Sequence, residues 1–216
     1  MPEVPTCPSS NHRPAARYCV GIRYVLIISV VVGSCRPSTG GRGDTAEIRQ
    51  GGHPMKLESS GFAQGATIPR QYTADGADRS PPLAWSDVPE GTKSFALICE
   101  DPDAPSPRRP APTPWVHWVI YNIPADRTDL PEGVARHPEL PELGGARQGK
   151  NSWPSDNVGY RGPAPPPGSG THRYFFRIYA LDSLLNLPAG ATKDELMRAM
   201  KGHILGQGEC YGTYQR

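Results

Sequence analysis

Asp101-Pro102-Asp103-Ala104-Pro105, then Trp115-Val116-His117-Trp118, and later Gly159-Tyr160-Arg161-Gly162-Pro163-Ala164-Pro165-Pro166, then His172-Arg173-Tyr174, are the stretches on which the reading of this chain turns. Each joins a loop of Pro, Gly or Asp to a histidine at or near the start of an apolar, aromatic-rich run. Such runs, bounded by Pro and Gly, read as β-strands. Three are evident: Ser94 to Cys99, Val116 to Ile123 and Arg173 to Leu181. Their near-continuous apolarity predicts burial on both faces, as in the middle of a packed sheet. Met55 to Ser59 and Thr67 to Tyr72 read as shorter strands.

One helix is well signalled. Thr192 and Glu195 have the spacing of a capping box. Leu196, Met197 and Met200 follow as an apolar stripe, and Gly202 stands where a helix would stop. These elements predict a mainly β protein with one or two short helices. Pro and Gly are abundant, 26 and 24 of 216 residues. They fall between the apolar runs, which fits a loop-rich β protein better than disorder.

The loops carry the chemistry. Each residue before a proline is pushed away from helical geometry. Pro102 and Pro105 therefore stiffen a corner and restrict where Asp101 and Asp103 point. His172 and Tyr174 are two apart, so they share one face of their strand. Gly162, Gly168 and Gly170 allow turns that bring backbone amides close to a ligand. Two imidazoles, a tyrosine hydroxyl and loop amides can serve a small anion, with a carboxylate fixing one imidazole's tautomer. Asp101 is expected to orient one ring, and phosphate binding to strengthen as pH falls through the ordinary histidine range near 6.5.

The run Ser80-Pro81-Pro82-Leu83-Ala84-Trp85, the two loop-and-histidine stretches and Asn122-Ile123-Pro124 stand in an order that resembles the phosphatidylethanolamine-binding protein family, also called Raf kinase inhibitor-like proteins. The likeness is greatest to its bacterial YbhB/YbcL branch and covers residues 55–216. It implies an antiparallel β-sandwich on a large central sheet, with a cavity for phosphate-like anions or phospholipid head groups. That cavity would be lined by Asp101, Asp103, Trp115, His117, Gly162, His172 and Tyr174. It further implies a non-catalytic binder without cofactor or metal, a possible modulator of another enzyme, and a homodimer. Three features depart from the pattern. Val116 precedes His117 where eukaryotic members carry a second histidine, Ala164 replaces a loop glycine, and the Pro-rich Ser106 to Pro114 is unusual. The chain also ends soon after Tyr214, so the kinase regulation of animal members does not carry over.

Two other functions stay open. Aspartate with two histidines could serve a hydrolase or phosphotransfer enzyme, although no nucleophile elbow, Walker loop or HExxH motif is present. A Pro-rich rim could engage a kinase or protease as an inhibitor. No CxxC pair suggests zinc. Cys99, inside an apolar run, reads as a small buried hydrophobe; whether it pairs with Cys210 is open.

The first 35 residues differ from the rest. Arg13, Arg17 and Arg23 precede the apolar run Tyr24 to Val32, which ends in Val32-Gly33-Ser34-Cys35. This is a secretory-signal pattern, with Cys35 placed as the lipidated residue of a bacterial lipobox. Residues 36–54, rich in Gly, Arg, Ser and Thr, read as a flexible tether. The chain has 23 basic and 21 acidic residues; losing Arg13, Arg17, Arg23 and Glu3 makes the two equal. A neutral domain without a basic stripe argues against nucleic acid as a partner. The expectation is an exported protein held to a membrane only through lipid. Because one acyl chain anchors marginally, stable attachment takes more than one. In a bacterial host, Cys35→Ala is expected to move the full chain from the membrane fraction to the soluble fraction. Unchanged fractionation would remove the lipid anchor.

Overall fold

The strand β4 (Ser94–Asp101) is buried along its whole length, and the fold is built around it. In the computed structural model, which describes residues 52–155 and 157–216, β4 pairs antiparallel with both β5 (Trp115–Pro124) and β9 (His172–Leu181). The expected signal segment, Cys35 and most of the expected tether lie outside the described residues. The three apolar runs of the sequence are thus adjacent strands at the centre of one sheet. The other strands are β1 (His53–Pro54), β2 (Lys56–Glu58), β3 (Leu83–Ser86), β6 (Asp129–Leu130), β7 (Glu139–Leu140), β8 (Ala146–Gln148) and β10 (Ile204–Tyr214). They form a seven-stranded sheet, β1-β10-β9-β4-β5-β8-β7, and a three-stranded sheet, β2-β3-β6. The pairing is antiparallel except where β1 runs parallel to β10.

Each face of the large sheet has its own core. Phe95, Leu97, Trp118, Ile120, Phe176 and Ile178 pack with Leu57, Leu83 and Trp85 of the small sheet. Ile98, Val119, Tyr121 and Tyr179 on the other face pack with Leu196 and Met200 of the helix α1 (Lys193–Met200). Burial on both faces explains why the central strands are apolar without alternation. The capping box is present: Glu195 N–H donates to the Thr192 side chain, and Thr192 N–H donates to Glu195 Oε2 at 2.8 Å. Glu100, buried on the helix side, binds both Arg177 and Lys193 and so ties α1 to the sheet.

Two expectations change, and one strand was unforeseen. Thr67 to Tyr72 is not a strand: Thr67 makes one bridge to Thr213, and Arg70–Tyr72 is a 3-10 turn. Pro69 lacks the N–H that a ladder needs. His53 and Pro54, read in the sequence as part of a tether, pair with Gly206 and Gln207. The 11-residue β10, rich in glycine, carries no strand signal in sequence. Its glycines admit crossing chain: a Cβ on Gly208 would meet Met55 O at 2.6 Å, and one on Gly212 would meet Ile68 Cγ1 at 2.5 Å. Cys99 and Cys210 are free, buried, and both aligned with Phe176 from opposite sides of β9. Two strand spacings, roughly 9–10 Å, exceed the span of a disulfide.

Residues 106–113 are almost all exposed. Their hydrogen bonds stay within the loop, apart from Ser106 Oγ to Ser169 O at 3.4 Å. Replacing 107–113 by two glycines is therefore expected to leave the far-UV spectrum unchanged and shift the melting midpoint by only a few degrees. A variant that does not fold would make the loop structural.

Candidate functional site

Antiparallel pairing builds the site. The last residue of β4 lies beside the first residues of both neighbours, so Asp101, Trp115 and His172 meet at one end of the sheet. A cavity of about 210 Å³ opens there, lined by Asp101, Trp115, His117, His172 and Tyr174 together with Trp153, Ala104, Ala164 and Pro105, Pro165 and Pro166. Five of the seven residues predicted for the pocket line it.

The other two serve its frame. Asp103 accepts from Arg173 Nε and Nη2, both at 2.8 Å, and from Arg173 N–H at 2.9 Å. Those bonds hold its carboxyl below the usual range and fasten the Asp-Pro-Asp corner to β9. Gly162 N–H donates to Asp78 Oδ1 at 2.7 Å, and a Cβ on Gly162 would meet Tyr72 O at 2.3 Å. Its amide is therefore spent on the protein, and glycine is required by close approach of two chains. Asp78 also pairs with Arg136 and Arg161. Nothing in the sequence marked this loop anchor.

Trp153 was also missed. It packs edge-on against Trp115 at 5.4 Å and against His117 at 5.0 Å, with Arg161 over its ring. A tryptophan in the polar run Lys150-Asn151-Ser152-Trp153 was the available signal, since so large a ring needs cover.

The hydrogen bonds fix what each group can offer. A carbonyl oxygen only accepts, so His117 Nδ1–H donates to Arg161 O at 2.6 Å. Its Nε2 then carries a bare lone pair and makes no hydrogen bond among the described residues. Burial pushes the His117 pKa down to about 4, so the ring stays neutral at physiological pH and cannot itself donate to an anion from Nε2. His172 Nδ1 lies 2.8 Å from Asp101 Oδ2, and its Nε2 lies 2.9 Å from Ser169 Oγ. Both its nitrogens are thus committed, as expected for Asp101 as the orienting carboxylate. Burial raises the Asp101 pKa against the lowering effect of that bond. Tyr174 is fully buried, its hydroxyl has no hydrogen-bond partner, and burial raises its pKa, so it remains a donor. Among the described residues no three His, Cys, Asp or Glu side chains cluster as metal ligands.

Among the described residues, the fold is thus two β-sheets with an aromatic-walled cavity at one end of the larger sheet. The sequence profile of phosphatidylethanolamine-binding protein matches residues 58–215, and the chain belongs to that family. A UPF0098 protein of Methanothermobacter thermautotrophicus is 50% identical over 162 residues, 75% of this chain and 99% of the relative. Among solved structures, a phosphatidylethanolamine-binding protein homologue from Chlamydia trachomatis is 40% identical with a TM-score of 0.65, covering 76% of this chain and 99% of its own. YbcL of E. coli is 30% identical with a TM-score of 0.66, covering 75% and 98%.

The buried His117 has a consequence for stability. Between pH 6.5 and about 4 the unfolded chain binds a proton there that the folded chain does not. Stability from this group is complete above pH 6.5 and falls by about 3 kcal/mol on descent to pH 4. Urea unfolding across that range is expected to show the slope, and His117→Gln to flatten it. An equal slope in the variant would assign it to another group.

Proposed function

We propose that the pocket binds a small phosphate-bearing anion, free or as a phospholipid head group, without chemical change. The observation that carries this reading is the pairing of Tyr174 O–H, a buried donor with no protein partner, and His117 Nε2, a neutral acceptor, on one pocket wall. A buried polar group left unpaired is unfavourable, so the Tyr174 hydroxyl calls for a ligand acceptor, and His117 Nε2 offers the same ligand a lone pair. A singly protonated phosphate monoester answers both: one oxygen accepts from Tyr174 and its P–OH donates to His117. A phosphodiester head group lacks the P–OH, and its ethanolamine ammonium would donate to His117 instead. Trp115, Trp153 and the prolines give the ligand's alkyl part an apolar wall. The family's own name supports a phospholipid head group as the ligand class. Trp115, 40% exposed at the rim, favours a second reading in which a protein partner senses the occupied pocket.

The pH response then belongs to the ligand. Phosphomonoester dianions take up a proton near pH 6 and become the singly protonated form, so phosphoethanolamine should bind more tightly at pH 5.5 than at pH 8. Glycerophosphoethanolamine, a diester, should bind equally at both. Tyr174→Phe should lower either affinity by about 1.5–3 kcal/mol, as for a lost hydrogen bond to a charged group. Calorimetry of both ligands at both pH values tests this. Tyr174→Phe binding as well as the parent would overturn it.

A further inference from the structure

Ser169, His172 and Asp101 have no part in ligand binding as drawn above, yet they form one continuous chain of hydrogen bonds. A carboxylate only accepts, so the 2.8 Å contact places the His172 proton on Nδ1, donated to Asp101. His172 Nε2 is then an acceptor, and at 2.9 Å it receives the Ser169 hydroxyl proton. Asp101 and His172 are buried, while Ser169 is only half-buried. The base is therefore shielded, and Ser169 is the member of the three nearest to solvent. Ser169 sits between Gly168 and Gly170, with φ of 74° and 110°. Both angles are left-handed and open to glycine without strain, which sets the serine on a tight turn. The N–H groups of Gly170 and Thr171, next in the chain, make no hydrogen bond among the described residues.

We infer that Ser169, His172 and Asp101 form a nucleophilic relay that transfers an acyl group from a small carboxylic ester to water. The roles follow from the hydrogen bonds. Ser169 Oγ adds to the ester carbonyl carbon as its proton passes to His172 Nε2, and Asp101 holds the imidazolium through Nδ1. The bond to the alcohol oxygen breaks, and that oxygen leaves with the proton from Nε2. Water then adds to the acyl-serine, giving its proton to Nε2. The acyl–Oγ bond breaks, the acid departs, and the proton returns to Ser169. The N–H groups of Gly170 and Thr171 are the free donors nearest in sequence for the carbonyl oxyanion. Carboxylic esters fit better than phosphate esters as substrates for this relay. Transfer of a phosphoryl group needs cationic stabilisation, and neither Arg nor Lys lines the adjoining cavity, whose walls are largely aromatic and proline. Such walls suit an acyl chain.

The test uses the purified chain with a fluorophosphonate probe and p-nitrophenyl acetate. The expected result is probe attached to Ser169, located by peptide mass mapping, together with ester hydrolysis. Ser169→Ala should abolish both, and Asp101→Asn should slow hydrolysis by about 10⁴-fold. Asp101 is buried, so Ser169→Cys gives a readout that does not disturb the core. Alkylation of its thiol by iodoacetamide should show a midpoint well below the ordinary cysteine value of about 8.5, because His172 abstracts the proton. The inference is overturned if the folded parent is unlabelled, if the label lies elsewhere, if hydrolysis persists in Ser169→Ala, or if the Ser169→Cys thiol titrates near 8.5.

Discussion

The hydrogen bond between His172 Nδ1 and Asp101 Oδ2, 2.8 Å long and shut off from solvent, joins the end of β4 to the start of β9. The two residues are 71 apart in sequence. Removing one partner of such a buried pair leaves a polar group with neither water nor protein to bind, at a cost of several kcal/mol. The pocket depends on this contact. It turns the Asp-Pro-Asp corner inward, fixes the His172 ring, and lets Asp103 engage Arg173 on the outer side. Tyr174, two residues along β9, is thereby held on the cavity wall.

The two histidines are alike in sequence and opposite in chemistry. Each stands near the start of a strand, and each lines the same cavity. His117 spends one nitrogen on a backbone carbonyl and leaves the other unbound, while burial keeps the ring neutral. His172 spends one nitrogen on a carboxylate and the other on a serine hydroxyl. The first is thus placed to meet a ligand, and the second to polarise a neighbour. The expectation of two protonated imidazoles clasping an anion gives way to a donor–acceptor wall of Tyr174 and His117.

Much of the fold was legible because its signals are local. Continuous apolar runs bounded by Pro and Gly gave the three central strands. The Thr192 and Glu195 spacing gave the helix start, where the two capping bonds lie within four residues. The order of the loop motifs gave the family. β10 was not legible, since its glycines weaken strand propensity and are explained only by the segment that crosses it. The placement of Trp153 and the role of Asp78 were hidden for the same reason: each is defined by residues far away in sequence.

Local signals were enough for the three central strands, the start of the helix, the family and the candidate residues Asp101, Trp115, His117, His172 and Tyr174. Each depends on periodicity, turn chemistry or motif order, which act over a few residues. Long-range packing set the rest: Gly162 and Asp103 brace the pocket, Ser169 reaches His172, and burial keeps His117 neutral. It also decided that Cys99 and Cys210 stand too far apart to join. Such facts are set by which polar atoms meet once water is excluded. A hydrogen bond or a desolvated ring belongs to a place in the fold, and no stretch of chain encodes it alone.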